Sequence, residues 1–158
     1  MERTRLDIGA GAALEHGWIS WDIKDGRDAR KITLEDSSVD EIRASHVLEH
    51  LGFLDLLPTL KEWRRVLRPN GRLYLAVPDL GLIVYGLFSG LRDPNLLRYL
   101  MGGQVDADDF HKSAFTVEVL FQILEESGFE RISRAGAEGQ NTSHHWISLN
   151  VEAYKPGE

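Results

Sequence analysis

Apolar positions along this chain come in short runs broken by glycine and acidic residues, and their spacing moves between strand-like and helical. Residues 6–8 form a brief apolar strand that runs straight into Gly9-Ala10-Gly11. Residues 18–22 read as a second strand ending on Asp22, and residues 39–45 as a third. Ile32 and Leu34 alternate with polar neighbours and suit a short edge strand. A helix follows, with Asp55 as N-cap, Pro58 in its first turn, and Leu56, Leu60, Trp63, Val66 and Leu67 at helical spacing. Arg68-Pro69-Asn70-Gly71 is a terminator, and residues 72–77 form the most hydrophobic strand, ending at Pro78-Asp79. Residues 80–115 are less periodic and predict two short helices, at 82–85 and 96–100. Thr116 caps a helix that passes Val119, Leu120, Ile123 and Leu124 and ends at Gly128. Residues 129–134 and 145–154 are two last strands joined by the polar loop 135–143.

Strands that alternate with helices and then close with two consecutive strands predict an α/β fold, mostly parallel with an antiparallel strand at its end. Residues 12–17 are too few for the full helix of a parallel crossover, which takes at least about 10 residues with its loops, so the first helix is reduced to roughly a turn. The expectation is a single domain over residues 1–158, with 80–115 as a variable cover segment.

Composition narrows the function classes. The 158 residues carry 25 acidic against 18 basic side chains, a net charge of −7, which disfavours a nucleic-acid partner. The basic cluster at residues 61–72 has helical spacing and reads as a solvated face. There is no cysteine, so a thiolate nucleophile, a thiolate metal site and a disulfide are all excluded. No run reaches the roughly 18 apolar residues of a membrane span, and no signal-peptide series is present; the expected setting is the cytoplasm.

The chemistry concentrates early. Two glycines leaving a strand allow positive φ and close backbone approach to a ligand. A carboxylate ending the second strand, Asp22, can accept hydrogen bonds from both hydroxyls of a ribose. The Gly-x-Gly-x-x-Gly of a nicotinamide site does not complete, because Leu14 stands at the third position. His46-Val47-Leu48-Glu49-His50 spells H-x-x-E-H, which on a helix would set two histidines on one face for zinc. Its place directly after a strand, with Gly52 beyond and no third ligand in view, argues against a metal site. His111 titrates near neutrality and can act as a general base. His144 and His145 would point to opposite faces of a strand, and Trp18, Trp21 and Trp146 read as core aromatics.

The ordered series LDIGAG, GWISWDI, SSVDEIRASHVLEHL, EWRRVLRPNGRLYLAVPDL and FT-x-E-x-L-x-x-x-L-x-x-x-GFE resembles the class I S-adenosylmethionine-dependent methyltransferases. More narrowly, it is similar to small bacterial members with a shortened first helix, from about residue 6 to 154. The resemblance implies a Rossmann-like, seven-stranded, mostly parallel sheet with an antiparallel last strand and helices on both faces. It implies that Asp7, Gly9 and Gly11 approach the methionine part of the cofactor, that Asp22 binds its ribose, and that Asp28 reads its adenine. Ser45, His46 and Leu48 would line the methyl-donor pocket. The chain departs from the family at Ala13, where a third glycine is often found.

For the reaction the resemblance implies, an in-line methyl transfer, a base is needed only when the acceptor keeps its proton. His46 and His111 are the candidates, with Glu49 and Asp79 behind them. No [Asn/Asp]-Pro-Pro-aromatic tetrad, the signature of amide and adenine amino methylation in related enzymes, follows residue 45; the preferred acceptor is an oxygen on a small molecule or saccharide. The expected partners are the acceptor and a second copy of the chain in a homodimer. The competing expectation is an inactive cofactor-binding or scaffold protein of the same fold.

Overall fold

The computed structural model describes residues 3–11, 15–137 and 145–157, so the expectations for Ala13, Leu14, His144 and most of the loop 135–143 lie outside the described residues. Six strands form one sheet: β1 (Arg5–Ile8), β2 (Trp18–Trp21), β3 (Val39–Ser45), β4 (Leu67–Pro78), β5 (Glu130–Arg134) and β6 (Ser148–Tyr154). Their spatial order is β2-β1-β3-β4-β6-β5. The first four are mutually parallel, and β6 inserts antiparallel between β4 and β5.

The alternation at Ile32 and Leu34 does not produce a strand. Both face the core, but their backbone groups are bonded by side chains of the following helix instead of by a neighbouring strand. Glu62 accepts from the Ile32 N–H, and Arg65 donates to the carbonyls of Ile32 and Leu34. Satisfied in this way, the segment needs no ladder, and the described sheet has six strands where seven were expected.

That helix, α1 (Phe53–Val66), starts two residues before Asp55, with Gly52 at the N-cap. Pro58 consequently lies inside the helix and not in its first turn. Leu56, Leu60, Trp63 and Val66 are buried, as their spacing predicts. They pack in one core with Leu120 and Leu124 of α4 (Val117–Glu126) and the apolar residues of β1, β3, β4 and β6. Thr116 caps α4 through its Oγ1, and Gly128 adopts φ +88° beyond its end.

The terminator at residues 68–71 is also resolved differently. β4 begins at Leu67, pairing with Val39, and the four residues bulge out before Arg72 resumes the ladder opposite Glu41. Asn70 at φ 60° makes the bend. The basic residues around it are spent in ion pairs: Arg65 with Glu62 and Asp36, Arg68 with Asp40, and Arg72 with Glu41 and Glu152.

Two further helices, α2 (Leu80–Phe88) and α3 (Leu96–Met101), follow β4. They share a small second cluster of Ile83, Leu96 and Ile147. Asp79 caps α2, accepting from the N–H groups of Gly81 and Leu82. The excursion returns where it left: Phe115 bridges Asp79, and its carbonyl accepts from Leu80 N–H.

Candidate active site

The chain passes from β1 outward to β2 and then crosses to β3 on the other side of β1. Between β1 and β3 the strand order therefore reverses, and the crevice outside the carboxyl ends there is where open α/β sheets bind ligands. The segments leaving these two strands are Gly9–Gly11 and residues 46–50.

The two glycines have different reasons to be glycine. Both have positive φ, +71° at Gly9 and +58° at Gly11. A Cβ on Gly9 would lie 2.4 Å from Val47 Cγ2, so the loops after β1 and β3 touch at this point. A Cβ on Gly11 would meet nothing within 4 Å. The open face of Gly11 is a place where a ligand can come against backbone.

Asp22 is 8% exposed and ties the end of β2 to this loop. Its Oδ2 accepts from Gly11 N–H and its Oδ1 from Lys24 N–H, each at 2.9 Å. Each oxygen keeps a further lone pair, so the carboxylate is held in place with capacity for two hydroxyl donors.

Asp7 is buried, and its carboxylate faces Arg43 at 2.7 Å; Arg43 also reaches Glu15 at 3.1 Å and stacks on the Trp18 ring. Burial pushes the Arg43 guanidinium down, but the bonds to Asp7 and Glu15 more than restore it, leaving it above its ordinary value. What Asp7 offers is thus an anchor for β1 on β3. Sequence spacing gave no sign of this pair.

Asp28 is held by Arg30 through both carboxylate oxygens, and that pairing keeps its carboxyl below the ordinary range. Its carbonyl accepts from Trp21 Nε1.

On the β3 side, Ser45 ends the strand and His46 turns left-handed at φ 56°, a conformation uncommon for a residue with a side chain. His46 Nδ1 lies 2.8 Å from Glu49 Oε1, and its Nε2 lies 3.1 Å from Ser148 Oγ. Residues 48–50 form a single 3-10 turn and not an α-helix, so His46 and His50 do not share a helical face. Leu48 and Glu49 are buried, each 1% exposed.

His111, 65 residues after His46, arrives from the excursion that follows β4. The next two residues, Lys112 and Ser113, donate their N–H groups to the Glu49 carbonyl, which docks the segment there. The His111 ring meets the His50 ring edge-on at 4.8 Å between centroids. Its Nδ1 lies 3.0 Å from the Tyr99 carbonyl. A carbonyl only accepts, so Nδ1 carries the proton and Nε2 holds the lone pair. Burial pushes the His111 pKa below its ordinary 6.5, outweighing the pull of the Glu49 carboxylate. At neutral pH the ring is a neutral base.

The structure thus brings Gly9, Gly11 and Asp22 together on one side, and Ser45, His46, Leu48 and His111 together on the other. Glu49, a secondary base candidate in the sequence, and His50, marked there only by the H-x-x-E-H spelling, join the second group. Asp79 caps α2 and takes no place in it. His145 precedes β6 in a turn, against the strand expected there, and contacts the Tyr99 hydroxyl. Trp21 is a core residue as expected, but Trp146 is half exposed because it lies in that same turn.

Comparison with known proteins shows what the chain is similar to. A family model described as a methyltransferase domain matches residues 18–75. The fold is similar to that of a S-adenosylmethionine-dependent methyltransferase from Methanosarcina mazei, at 17% identity and TM-score 0.64, covering 100% of this chain and 95% of the other. It is also similar to a possible histamine N-methyltransferase from Thermotoga maritima (15% identity, TM-score 0.62, 98% and 83% covered). A third likeness is to a putative O-methyltransferase from Nostoc punctiforme (13% identity, TM-score 0.61, 98% and 53% covered). One curated relative, an uncharacterized 37.1 kDa transposon protein of Streptomyces fradiae, is 46% identical over 52 residues. That match covers 33% of this chain and 14% of the relative's length.

The fold is that of class I S-adenosylmethionine-dependent methyltransferases, residues 18–75 match a methyltransferase domain, and S-adenosylmethionine is the cofactor this likeness implies. No helix among the described residues is long and apolar enough to cross a membrane.

Proposed function

We propose that the protein transfers the methyl group of S-adenosylmethionine to a hydroxyl oxygen of a small molecule or saccharide, acting in the cytoplasm, a setting its cysteine-free composition suits. What supports this reading is that the loop after β1, tied to Asp22, touches at Gly9 the loop after β3, which carries His46 and Glu49 and docks the segment of His111, where the strand order reverses. When bound, S-adenosylmethionine supplies a sulfonium methyl that leaves with its positive charge extinguished on sulfur.

The residues divide the work. The Asp22 carboxylate holds two hydroxyls of the cofactor ribose, and the open face of Gly11 lets backbone approach the methionine part. Asp28 would read the adenine only by loosening its Arg30 pair. Ser45 and Leu48 shape the wall beside the methyl, and residues 80–115 cover the acceptor. His111 Nε2 takes the hydroxyl proton as the new carbon–oxygen bond forms. His46, held between Glu49 and Ser148, is the second candidate base. Transfer to oxygen is favoured over nitrogen because a neutral, half-buried imidazole is useful to an acceptor that keeps its proton at neutral pH.

The test is transfer of a labelled methyl group into panels of hydroxyl, amine and thiol acceptors, read by mass spectrometry. Methyl ethers that form with the parent and fall at least tenfold with His111→Gln support the reading. Methylation confined to amines, or hydroxyl transfer indifferent to His111, refutes it.

A further inference from the structure

Glu49, His50 and His111 each offer one ligand-type atom, and these atoms lie within 4.8 Å of one another. We propose that they bind one divalent transition-metal ion, zinc or a similar borderline ion, on the acceptor side of the site.

Two atoms in the cluster have no hydrogen-bond partner although both are buried: Glu49 Oε2 and His50 Nδ1. A buried, unpaired carboxylate oxygen is costly, and here the side chain is only 1% exposed. A metal ion would satisfy both atoms at once. The third atom is prepared in the way metal-binding histidines are: His111 Nδ1–H is committed to the Tyr99 carbonyl, which leaves Nε2 to coordinate. Glu49 is prepared too, because His46 holds its other oxygen at 2.8 Å. His46 is thus a positioning residue in the metal-bound state.

Two imidazoles with one carboxylate form a set that suits zinc with an open position. Bonds of about 2.1 Å place tetrahedral ligands about 3.4 Å apart, so the widest separation in the cluster contracts by up to about 1.4 Å on binding. The H-x-x-E-H segment contributes through its 3-10 turn, using Glu49 and His50, and the missing third ligand comes from the excursion after β4. The ion's remaining positions would take water or the acceptor oxygen. With the ion bound, His111 is a ligand and no longer the base. The ion then lowers the pKa of the bound hydroxyl, whose proton leaves to water. Only this last role rests on the proposed methyl transfer; binding of the ion does not.

The experiment is titration of the chelator-treated full chain with cobalt(II) and zinc(II), followed by calorimetry and by the visible absorption of cobalt. One ion per chain is expected, with binding at least tenfold weaker in Glu49→Gln, His50→Asn and His111→Asn. The exposed His16→Asn should bind like the parent. Should a variant fail to fold, imidazole nitrogen NMR of the parent decides: zinc must shift His50 Nδ1 and His111 Nε2. No stoichiometric ion, or binding indifferent to all three residues, overturns the proposal. Cofactor binding measured in the same samples separates it from the methyltransferase reading, because either can fail while the other holds.

Discussion

Replacing Gly9 and Gly11 by alanine, one at a time, tests how the loop after β1 is built. Both positions hold left-handed φ, which costs an alanine about 1–2 kcal/mol. For Gly11→Ala that is nearly the whole effect, since the new methyl meets nothing within 4 Å. Gly9→Ala adds a contact of 2.4 Å with Val47 Cγ2, far inside the roughly 3.5–4.0 Å of carbon atoms in contact. Relieving it requires movement of the loop after β3, at the roughly 1–3 kcal/mol typical of overpacking. The expectation is a loss of about 1–2 kcal/mol for Gly11→Ala and about 2–5 kcal/mol for Gly9→Ala. In a domain of this size each kcal/mol lowers Tm by about 2–4 °C. Denaturant unfolding followed by circular dichroism measures both, and Val47→Ala in the Gly9→Ala background should recover part of the difference. Cofactor affinity should fall for Gly11→Ala despite its milder effect on folding. Equal destabilisation by the two substitutions, with no relief from Val47→Ala, would refute this account of the loop.

Other consequences follow from the charged groups. Arg43→Met removes the guanidinium that pairs with the buried Asp7 and should cost about 3–5 kcal/mol in the same unfolding assay. A loss under 1 kcal/mol would show that the pair does not anchor β1 to β3. Glu62 is held below its ordinary 4.5 chiefly by its hydrogen bonds with Arg65. Its contribution is complete above pH 4.5 and is lost as pH falls through the lower folded pKa. Glu62→Gln should therefore flatten the acid limb of the stability profile below pH 4.5, and an unchanged limb would contradict that role.

The parts of the fold visible in the sequence are those fixed by local pattern. β3 has the bounds its apolar residues suggest, α1 buries the face its spacing marks out, and α4 buries Leu120 and Leu124 but leaves Val119 exposed. Where the expectation failed, a distant group had replaced a local one. Ile32 and Leu34 look like a strand, but Glu62 and Arg65, some 30 residues away, take over their backbone bonds. The stop at residues 68–71 is a true bend, but β4 absorbs it as a bulge because residues on both sides pair with β3. The same limit applied at the site. Gly9, Gly11 and Asp22 lie within a few residues of strand ends and could be picked out. The meeting of Glu49 and His50 with His111 depends on an excursion of some 35 residues, and no spacing rule connects them.

The most direct measurement is calorimetry of S-adenosylmethionine and S-adenosylhomocysteine binding to the parent and to Asp22→Ala. The account predicts one site for each ligand, with affinity reduced at least tenfold by the substitution. A well-folded parent that binds neither ligand, or a variant that binds as tightly as the parent, would contradict it.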